Sequence, residues 1–450
     1  MIKKIRIKRG LDIPLSGKAQ SRVEQAITSL FYTIFPDDYP GFTPKIAVQA
    51  GDSVQAGTAL LYDKNRPEVK IVSPVSGVVA AVNRGEKRKL LSVVVEDDGL
   101  KEFRNFKDFK DEAAAIKAAL CEAGIFAYIR QRPYDIVANP ADTPRDIFVT
   151  GFSSAPLAPD ADFILQGEEA DFQKGLDILA KLTEGKVYLG VKPRHCGEIR
   201  NDVNVVVVDG QHPAGNVGVQ INHIKPVNKG ETVWTADAMT VVYIGRLFNK
   251  GVADFSHLTA IAGSEVKPEY RAYYKTLPGV CLKEYLDKFT EHRNHQRYIS
   301  GNVLTGTQIT AEGSLHAFDN LITVIPEGDD THELLGWIMP RFNQFSFNKS
   351  YPAAWLNRIF KKKYNFDARI KGGQRAMIMS NEFDKVFPMD ILPEYLLRAI
   401  IAFDIEKMEN LGIYEVAPED FALCEFVDTS KMELQKIVRE GLDRLCKEMN

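Results

Sequence analysis

The sequence predicts a multidomain α/β (α+β) protein, and three patterns along its 450 residues support that prediction. Two short motifs, at 48–61 and 71–79, alternate apolar residues with glycine-bearing turns, as in a β-hairpin half-barrel. Between 146 and 209, short aliphatic strands alternate with a helical pattern, which is typical of a parallel sheet. Beyond Pro340 the chain turns helical. The length agrees with roughly three or four domains.

The segment 48–79 has the pattern of a biotin or lipoyl carrier half-barrel from which the modifiable lysine is missing. Such carriers place that lysine at the turn between the two halves, within a hydrophobic frame. Here Lys64 lies near the turn without such a frame, and Lys70 enters a strand. We therefore predict that residues 1–100 form a rigid biotinyl/lipoyl-like barrel-sandwich domain without a modified lysine, kept for docking.

Composition excludes several classes of function. The net charge of −3 and the charged fraction of 26% give no support to a nucleic-acid partner. No run approaches the ~18 apolar residues of a membrane span, so any membrane association is expected to be peripheral. Residues 1–10 alternate basic and aliphatic side chains, which predicts a strand in a cytoplasmic protein and not a signal peptide. The 5 cysteines are scattered, without a C-x-x-C pair.

A Rossmann-like α/β domain is predicted for residues 101–255. Residues 111–124 are expected to form a helix that Gly124 ends, and 146–151 a buried strand. A further helix and two further strands follow, at 172–182, 186–191 and 204–209. Strands are also expected over 232–245 and 297–325, the latter in a small β-rich module.

The C-terminal part predicts two main helices, at 388–412 and 430–449. The second is expected to begin with a capping box in which Ser430 and Glu433 satisfy the first backbone N–H groups. Its apolar residues recur at helical spacing and are expected to be buried: Leu434, Ile437, Val438, Leu442 and Leu445.

Several motifs approach known sites without completing them. Residues 12–19 lack the first glycine and the final Ser or Thr of a phosphate loop, and 210–218 lack the G-x-G spacing of a dinucleotide site. His292 and His295 have no further ligand nearby and are interpreted as a solvated pair. Cys196 beside His195 lacks a partner that would make it a nucleophile.

A basic cluster interleaved with aromatic residues lies within 355–375. It could meet acidic lipid headgroups or an acidic partner surface, or be a solvated face, and as a contact it predicts a peripheral, salt-sensitive attachment. Its basic members are Arg358, Lys361, Lys362, Lys363, Arg369, Lys371 and Arg375. The aromatic run 337–347 is expected to be core or interface.

Taken together, many short motifs in the right order resemble the NqrA family of the sodium-translocating NADH:quinone oxidoreductase, nearly end to end. The motifs include 9–17, 63–67, 85–96, 130–134, 209–215, 336–340 with Phe342 and Asn343, and 388–393. The segment 220–223 departs from the family pattern because it holds one histidine where two are common. Arg341 and Gln344 also replace a common glycine and lysine.

The resemblance implies four domains: the half-barrel, the Rossmann-like domain, a β-grasp (SLBB-like) module at 256–335 and a C-terminal helical domain at 336–450. The same order occurs in the RnfC protein of the Rnf complex and in the flavin-carrying subunit of complex I. Relatives line a loop between C-terminal helices with cluster cysteines, whereas the corresponding loop here, 423–431, holds Cys424 alone. One thiolate cannot hold an iron–sulfur cubane, so Cys424 is expected to pack as a small apolar side chain.

The resemblance further implies a peripheral subunit on the cytoplasmic side of the bacterial inner membrane, associated with the membrane through subunits B to F. The complex passes electrons from NADH through flavins and an iron–sulfur cluster on other subunits to quinone while exporting Na⁺. This chain is expected to bind no redox cofactor, to supply no catalytic residue and no metal ligand, and to serve quinone access and reduction.

His212, Gly215 and His223 are the candidate quinone-binding residues. His212 lies at a glycine-bounded turn after a predicted strand, where it could donate a hydrogen bond to the quinone headgroup. Two alternatives stay open, a purely structural scaffold or assembly subunit of the same or an Rnf-like complex, and a flavoprotein that binds NADH and FMN. Quinone quenching of Trp234, Trp337 or Trp355 would argue against the scaffold.

Overall fold

The computed structural model describes residues 3–107, 109–193, 203–291, 295–329, 341–342, 344–351 and 360–449. Among the described residues, the N-terminal barrel, the α/β domain and the segment that follows it contain β-sheets, and the C-terminal segment is helical. Within the described ranges, no helix is both long enough and apolar enough to cross a membrane.

The N-terminal barrel consists of a four-stranded and a three-stranded antiparallel sheet. Their orders are β3-β9-β8-β5 and β4-β6-β7. Gly77 opens β8 at φ +151°, where a Cβ would overlap the carbonyl of Glu96 on β9, so a glycine is required there. The strands of the barrel are β3 (Phe31–Ile34), β4 (Pro44–Ile46), β5 (Ser53–Val54), β6 (Ala59–Asp63), β7 (Lys70–Val72), β8 (Gly77–Arg84) and β9 (Leu90–Asp97).

The turn that carries the lysine in biotin and lipoyl carriers is fixed in place here. Arg66 bonds the fully buried carboxylate of Asp63 at 2.7 Å, and it also donates to the carbonyls of Val137 and Ala138 at 2.8 and 3.0 Å. Lys70 pairs with Glu122. The turn is thereby bonded to the next domain. A carrier lysine must move freely between active sites, and this bonded turn does not suit that role.

The second domain is built on a seven-stranded sheet. The order is β1-β14-β13-β12-β15-β10-β11, with β1, β14, β13, β12 and β15 parallel. Its members are β1 (Lys3–Arg6), β10 (Arg130–Arg132), β11 (Ile136–Val137), β12 (Ile147–Thr150), β13 (Val187–Val191), β14 (Val203–Asp209) and β15 (Val233–Asp237). The predicted N-terminal strand therefore belongs to this sheet and not to the barrel.

Five helices accompany the sheet, and the helix ended by Gly124 is confirmed. They are α1 (Ala113–Glu122), α2 (Ala161–Ile164), α3 (Glu169–Ala180), α4 (Val217–Ile224) and α5 (Ala238–Lys250). The prediction of strands throughout 232–245 was wrong beyond Asp237. The Asp237 carboxylate accepts from the Thr240 N–H at 2.7 Å and caps α5 there. The apolar run at 241–244 is β-branched and aromatic, a composition that favours strands, although it lies within α5.

The third segment forms a six-stranded sheet of order β19-β18-β20-β16-β17-β2. Its edge strand, β2 (Val23–Glu24), comes from the N-terminal region. The first two strands of the chain therefore belong to the α/β sheet and to this sheet, and the barrel strands follow them. The predicted strands between 297 and 325 are confirmed. The remaining elements are β16 (His257–Ala262), β17 (Tyr273–Thr276), α6 (Lys283–Phe289), β18 (Gln296–Ser300), β19 (Thr307–Ile309) and β20 (Leu321–Pro326).

The C-terminal segment is helical where it is described. Its helices are α7 (Pro393–Ala402), α8 (Ile405–Asn410), α9 (Ala422–Val427) and α10 (Leu434–Met449). The single helix predicted over 388–412 is two, since Phe403 turns at φ +51° and Asp404 caps α8. The predicted loop 423–431 begins within α9.

The predicted capping box at Ser430 is wrong. The Ser430 hydroxyl accepts the N–H of Ile378 at 3.1 Å, and α10 begins only at Leu434. The Glu425 carboxylate accepts the N–H of Gln435 at 2.9 Å, so a neighbouring helix supplies the cap. The buried face predicted for α10 is confirmed at Leu434, Val438, Leu442 and Leu445, with Ile437 half-buried.

Candidate functional site at the sheet switch point

The parallel sheet changes its direction of growth between β12 and β15. From β12 the chain adds β13 and β14 on one side, and β15 then pairs with β12 on the other side. In open α/β sheets, ligands bind in the crevice outside the carboxyl ends of the strands at such a switch point. A cavity of about 470 Å³ lies there, and we refer to it as the switch-point cavity.

Four parts of the chain enclose the switch-point cavity. The α/β domain supplies the loop that follows β12, the end of β15 and the first residues of α4 and α5. The six-stranded sheet supplies the opposite wall, the C-terminal helical segment closes one side, and the barrel contributes Pro40. A ligand inside would therefore contact every major segment of the fold.

The two helix N-termini at the cavity differ in their capping. Asp237 caps α5 through its carboxylate, whereas Asn216 at the start of α4 makes no capping hydrogen bond with its side chain. The Asn216 amide instead donates to the carbonyl of Glu419 at 3.2 Å. The first N–H groups of a helix have no partner within the helix. The start of α4 thus presents backbone N–H donors and partial positive charge near the cavity. The Asp420 carboxylate lies against Gly218 and supplies negative charge close to this helix end.

Charged residues line the side of the cavity near β10. Arg130 lies over the ring of Phe318, with its guanidinium carbon 4.4 Å from the ring centre, and 3.6 Å from the Asp135 carboxylate. Arg439 of α10 donates to the backbone carbonyls of Tyr134 and Asp135 at 2.7 and 3.0 Å. These bonds join the C-terminal helices to the α/β domain and fix the position of this wall.

The structure brings two of the three predicted site residues together. Gly215 lines the cavity, and its N–H donates to the Ser154 hydroxyl at 2.8 Å. His212 lies behind it, with Nδ1 3.0 Å from the same hydroxyl. His223 lies near the other end of α4, where Nδ1 is 2.9 Å from the carbonyl oxygen of Val219. Because α4 runs back toward the amino ends of the strands, His223 lies away from the cavity.

His212 is only 3% exposed, and it does not line the switch-point cavity. Burial lowers the pKa of His212 to about 4, so the ring is neutral at physiological pH. Its Nε2 has no hydrogen-bond partner within the described part of the chain. A quinone in the cavity would reach the backbone of the Gly215 loop before it reached this imidazole.

The cavity residues that the sequence analysis did not identify lie at the ends of strands. Thr150 ends β12 and donates to the carbonyls of Phe152 and Gly215 at 3.0 and 2.9 Å, which joins the two loops at the cavity. Asp237 ends β15. The strand-end rule applied to 146–151 would have pointed to this loop. Asp319, from the opposite wall, carries no comparable local signal.

The other tempting residues do not add to this site. His195, Cys196, His292, Trp337, Trp355 and Arg358 lie outside the described residues. Among the described residues, no group of three or more His, Cys, Asp or Glu side chains could hold a metal ion. Cys424 is fully buried, and burial raises the pKa of its thiol well above the ordinary value. It therefore packs as a protonated, apolar side chain.

Comparisons with known proteins agree on one family. Residues 5–98 match the family described as the NqrA N-terminal barrel-sandwich hybrid domain. Residues 111–253 match the NqrA second alpha/beta domain, and 258–311 match the NQRA C-terminal domain, an SLBB family.

Curated relatives match over the whole chain. The NqrA protein of the Na(+)-translocating NADH-quinone reductase of Saccharophagus degradans is 35% identical, with 99% of this chain and 100% of the relative covered. The protein of the same description from Serratia proteamaculans is 34% identical over 99% of this chain and 100% of its own. A solved NAD+-reducing NiFe-hydrogenase aligns with 75% of this chain and 61% of its own at 14% identity, with a TM-score of 0.37, a likeness too distant to bear on the fold or function.

Proposed function

Because this chain belongs to the NqrA family of the Na(+)-translocating NADH-quinone reductase, we propose that its switch-point cavity receives the quinone headgroup. The chain is a subunit of an enzyme complex that is both a translocase and an oxidoreductase. The observation that carries the proposal is the cavity at the reversal point of the parallel sheet, with the uncapped start of α4 on its wall.

The chemistry of the cavity suits a quinone headgroup. A quinone presents two carbonyl acceptors on an apolar ring, so it needs hydrogen-bond donors beside apolar walls. The start of α4 supplies backbone donors near Asn216 and Val217. Phe152, Ile164 and Met239 supply apolar surface from the same domain. Gly215 keeps its proposed role as a lining residue, while His212 would act through the Ser154–Gly215 contact, and His223 has no such connection.

We assign no redox centre to this chain. NADH, flavins and an iron–sulfur cluster would be bound by other subunits, B to F, through which this chain would also be held at the cytoplasmic side of the membrane. The single cysteine in the loop 423–431, Cys424, supports this division, since one thiolate cannot hold an iron–sulfur cubane. Lys361 and Lys363, both exposed, are available to a salt-sensitive peripheral contact.

The test is a quinone titration of the purified chain and of the assembled complex, followed by tryptophan fluorescence and by quinone-reductase activity. Trp234 is fully buried on β15, one residue before Thr235 at the cavity, and its fluorescence is followed during the titration. The substitution Ala158→Phe places a ring in the cavity and should weaken quinone binding at least tenfold.

The matched control is Ala114→Phe, on the exposed start of α1. It should leave quinone affinity unchanged. Equal quinone affinity in the wild type and in Ala158→Phe would contradict the proposal. A chain that shows no saturable binding, alone or in the complex, would favour the scaffold role. A visible flavin band in the purified chain would favour the flavoprotein alternative.

A further inference from the structure

One acidic side chain on the far wall of the switch-point cavity is held in a defined position. Asp319 lines the cavity directly before β20. Its Oδ2 accepts a hydrogen bond from the Ser300 hydroxyl at 2.7 Å. Its Oδ1 lies over Gly301, where a Cβ would stand only 2.8 Å away. The carboxyl group is therefore oriented by β18 and its following glycine, while it stays accessible from the cavity.

Charged groups from three other places act on this carboxyl group. Arg130 approaches from β10, over Phe318. His316 lies in the same loop, with Nδ1 2.5 Å from Asp38 of the barrel, which also accepts the N–H of Ala317 at 2.9 Å. The remaining charged residues that line the cavity are Asp135, Asp237, Glu419 and Arg439.

The balance of these groups raises the pKa of Asp319 to about 6. Burial raises the pKa of Asp319 above its ordinary value, and the Asp38 carboxylate adds to that rise. The Ser300 hydroxyl, His316 and Arg130 act in the opposite direction and would stabilise the carboxylate once it forms. Such a group can release a proton and recover it near neutral pH, as a general acid must.

We propose that Asp319 is the proton donor to one oxygen of the quinone as it is reduced in the switch-point cavity. Quinone takes two electrons, which come from NADH through the complex, and two protons to become quinol. In the proposed step the Asp319 O–H bond breaks, a new O–H bond forms on the quinone oxygen, and the carboxylate remains beside Ser300 and Arg130. The second proton and the reprotonation of Asp319 come from water. This proposal rests on the proposed quinone site.

The test uses the assembled complex with Asp319→Asn, which keeps the side-chain shape and cannot donate an acidic proton. We expect kcat for quinone reduction to fall roughly 100-fold or more. Quinone affinity should change by less than about threefold. The limb of the kcat pH profile that Asp319 controls should disappear. Asp319→Glu should restore part of the rate, and electron transfer from NADH to an artificial acceptor that bypasses quinone should be unaffected.

Asp177→Asn, the same change on the exposed face of α3 and away from the cavity, is the control and should keep the pH profile of the wild type. Thermal unfolding of each variant shows whether a loss of activity comes from unfolding or from the missing proton donor. An unchanged kcat and pH profile in a folded Asp319→Asn complex would overturn the role of Asp319 as proton donor. If Ala158→Phe still blocked quinone binding, the proposed quinone site would stand without that role. If Ala158→Phe also left quinone binding intact, the site and the proton role would both be wrong.

Discussion

At the scale of single residues, His212 makes the stability of the fold depend on pH. Burial lowers the pKa of His212 to about 4, whereas an unfolded histidine titrates near 6.5. Between these values the unfolded chain binds more protons, so stability is full above the unfolded pKa and falls as the pH decreases from 6.5 toward 4. The total loss from this group should reach about 3 kcal/mol. Chemical denaturation at a series of pH values measures it.

The variant His212→Gln should flatten that dependence over the same pH range, because glutamine does not titrate. Ala114→Gln, on the exposed start of α1, is the control for an introduced glutamine and should keep the slope of the wild type. An identical slope in His212→Gln would show that His212 is not the titrating group.

Arg66 tests whether the barrel turn is a fixed structural joint. The substitution Arg66→Ala leaves the fully buried Asp63 carboxylate without its ion pair and removes donors from two backbone carbonyls. We expect a loss of about 3 kcal/mol in the free energy of unfolding. Lys89→Ala, which breaks an exposed ion pair with Asp37, should cost less than about 1 kcal/mol. Equal effects of the two substitutions would argue against a fixed joint.

Residue-level features of the site were predictable only where they lie close together in sequence. The Gly210–Gly218 region stood out because glycines, proline and histidine follow a strand within a few positions. Gly215 of this region lines the cavity, and its role in binding quinone stays a prediction. Asp319 and Arg130 line the same cavity although they are almost 190 residues apart in the sequence. No local sequence pattern predicts that they lie close together. The prediction of His223 as a candidate quinone-binding residue did not take into account the direction of α4, which carries His223 away from the cavity.

At the scale of elements, the crossing of α3 and α5 depends on two glycines. A Cβ on Gly245 would overlap the carbonyl of Asp171, and one on Gly175 would overlap that of Val241. Since backbone cannot move aside as a side chain can, Gly245→Ala should destabilise the protein by about 3 kcal/mol. Equilibrium unfolding in urea measures this.

Gly373→Ala is the control for that prediction, because a Cβ there meets no atom within 4 Å and the backbone φ is not positive. It should change the free energy of unfolding by less than about 0.5 kcal/mol. A Gly245→Ala protein as stable as this control would show that the helices can separate without cost.

The elements themselves were largely predictable where the hydrophobic period is clear. Strands β5 to β8 of the barrel overlap the two predicted motifs, β12 to β14 overlap the predicted aliphatic runs, and the buried face of α10 follows from helical spacing. Strands β3 and β4 were not predicted. Prediction failed at α5, whose β-branched and aromatic run favours a strand, and at the start of α10, where Glu425 replaces the local cap. Only at α10 did a contact from elsewhere in the fold replace the local signal.

At the scale of the whole molecule, the first 30 residues join the segments of the fold. The strand Lys3–Arg6 completes the α/β sheet and Val23–Glu24 completes the six-stranded sheet, before the chain enters the barrel. Domain boundaries drawn along the sequence at 100, 255 and 335 therefore stay a prediction, since this segment is shared between domains. The switch-point cavity is likewise shared, since the barrel, the α/β domain, the six-stranded sheet and the C-terminal helical segment all contribute to its lining.

The most direct test of the proposed quinone site is a structure of the assembled complex, determined with and without bound quinone. We expect difference density for a headgroup outside the carboxyl ends of β12 and β15, between the start of α4 and Asp319. Quinone density confined to other subunits, at saturating quinone and with the switch-point cavity unchanged, would contradict the proposed site.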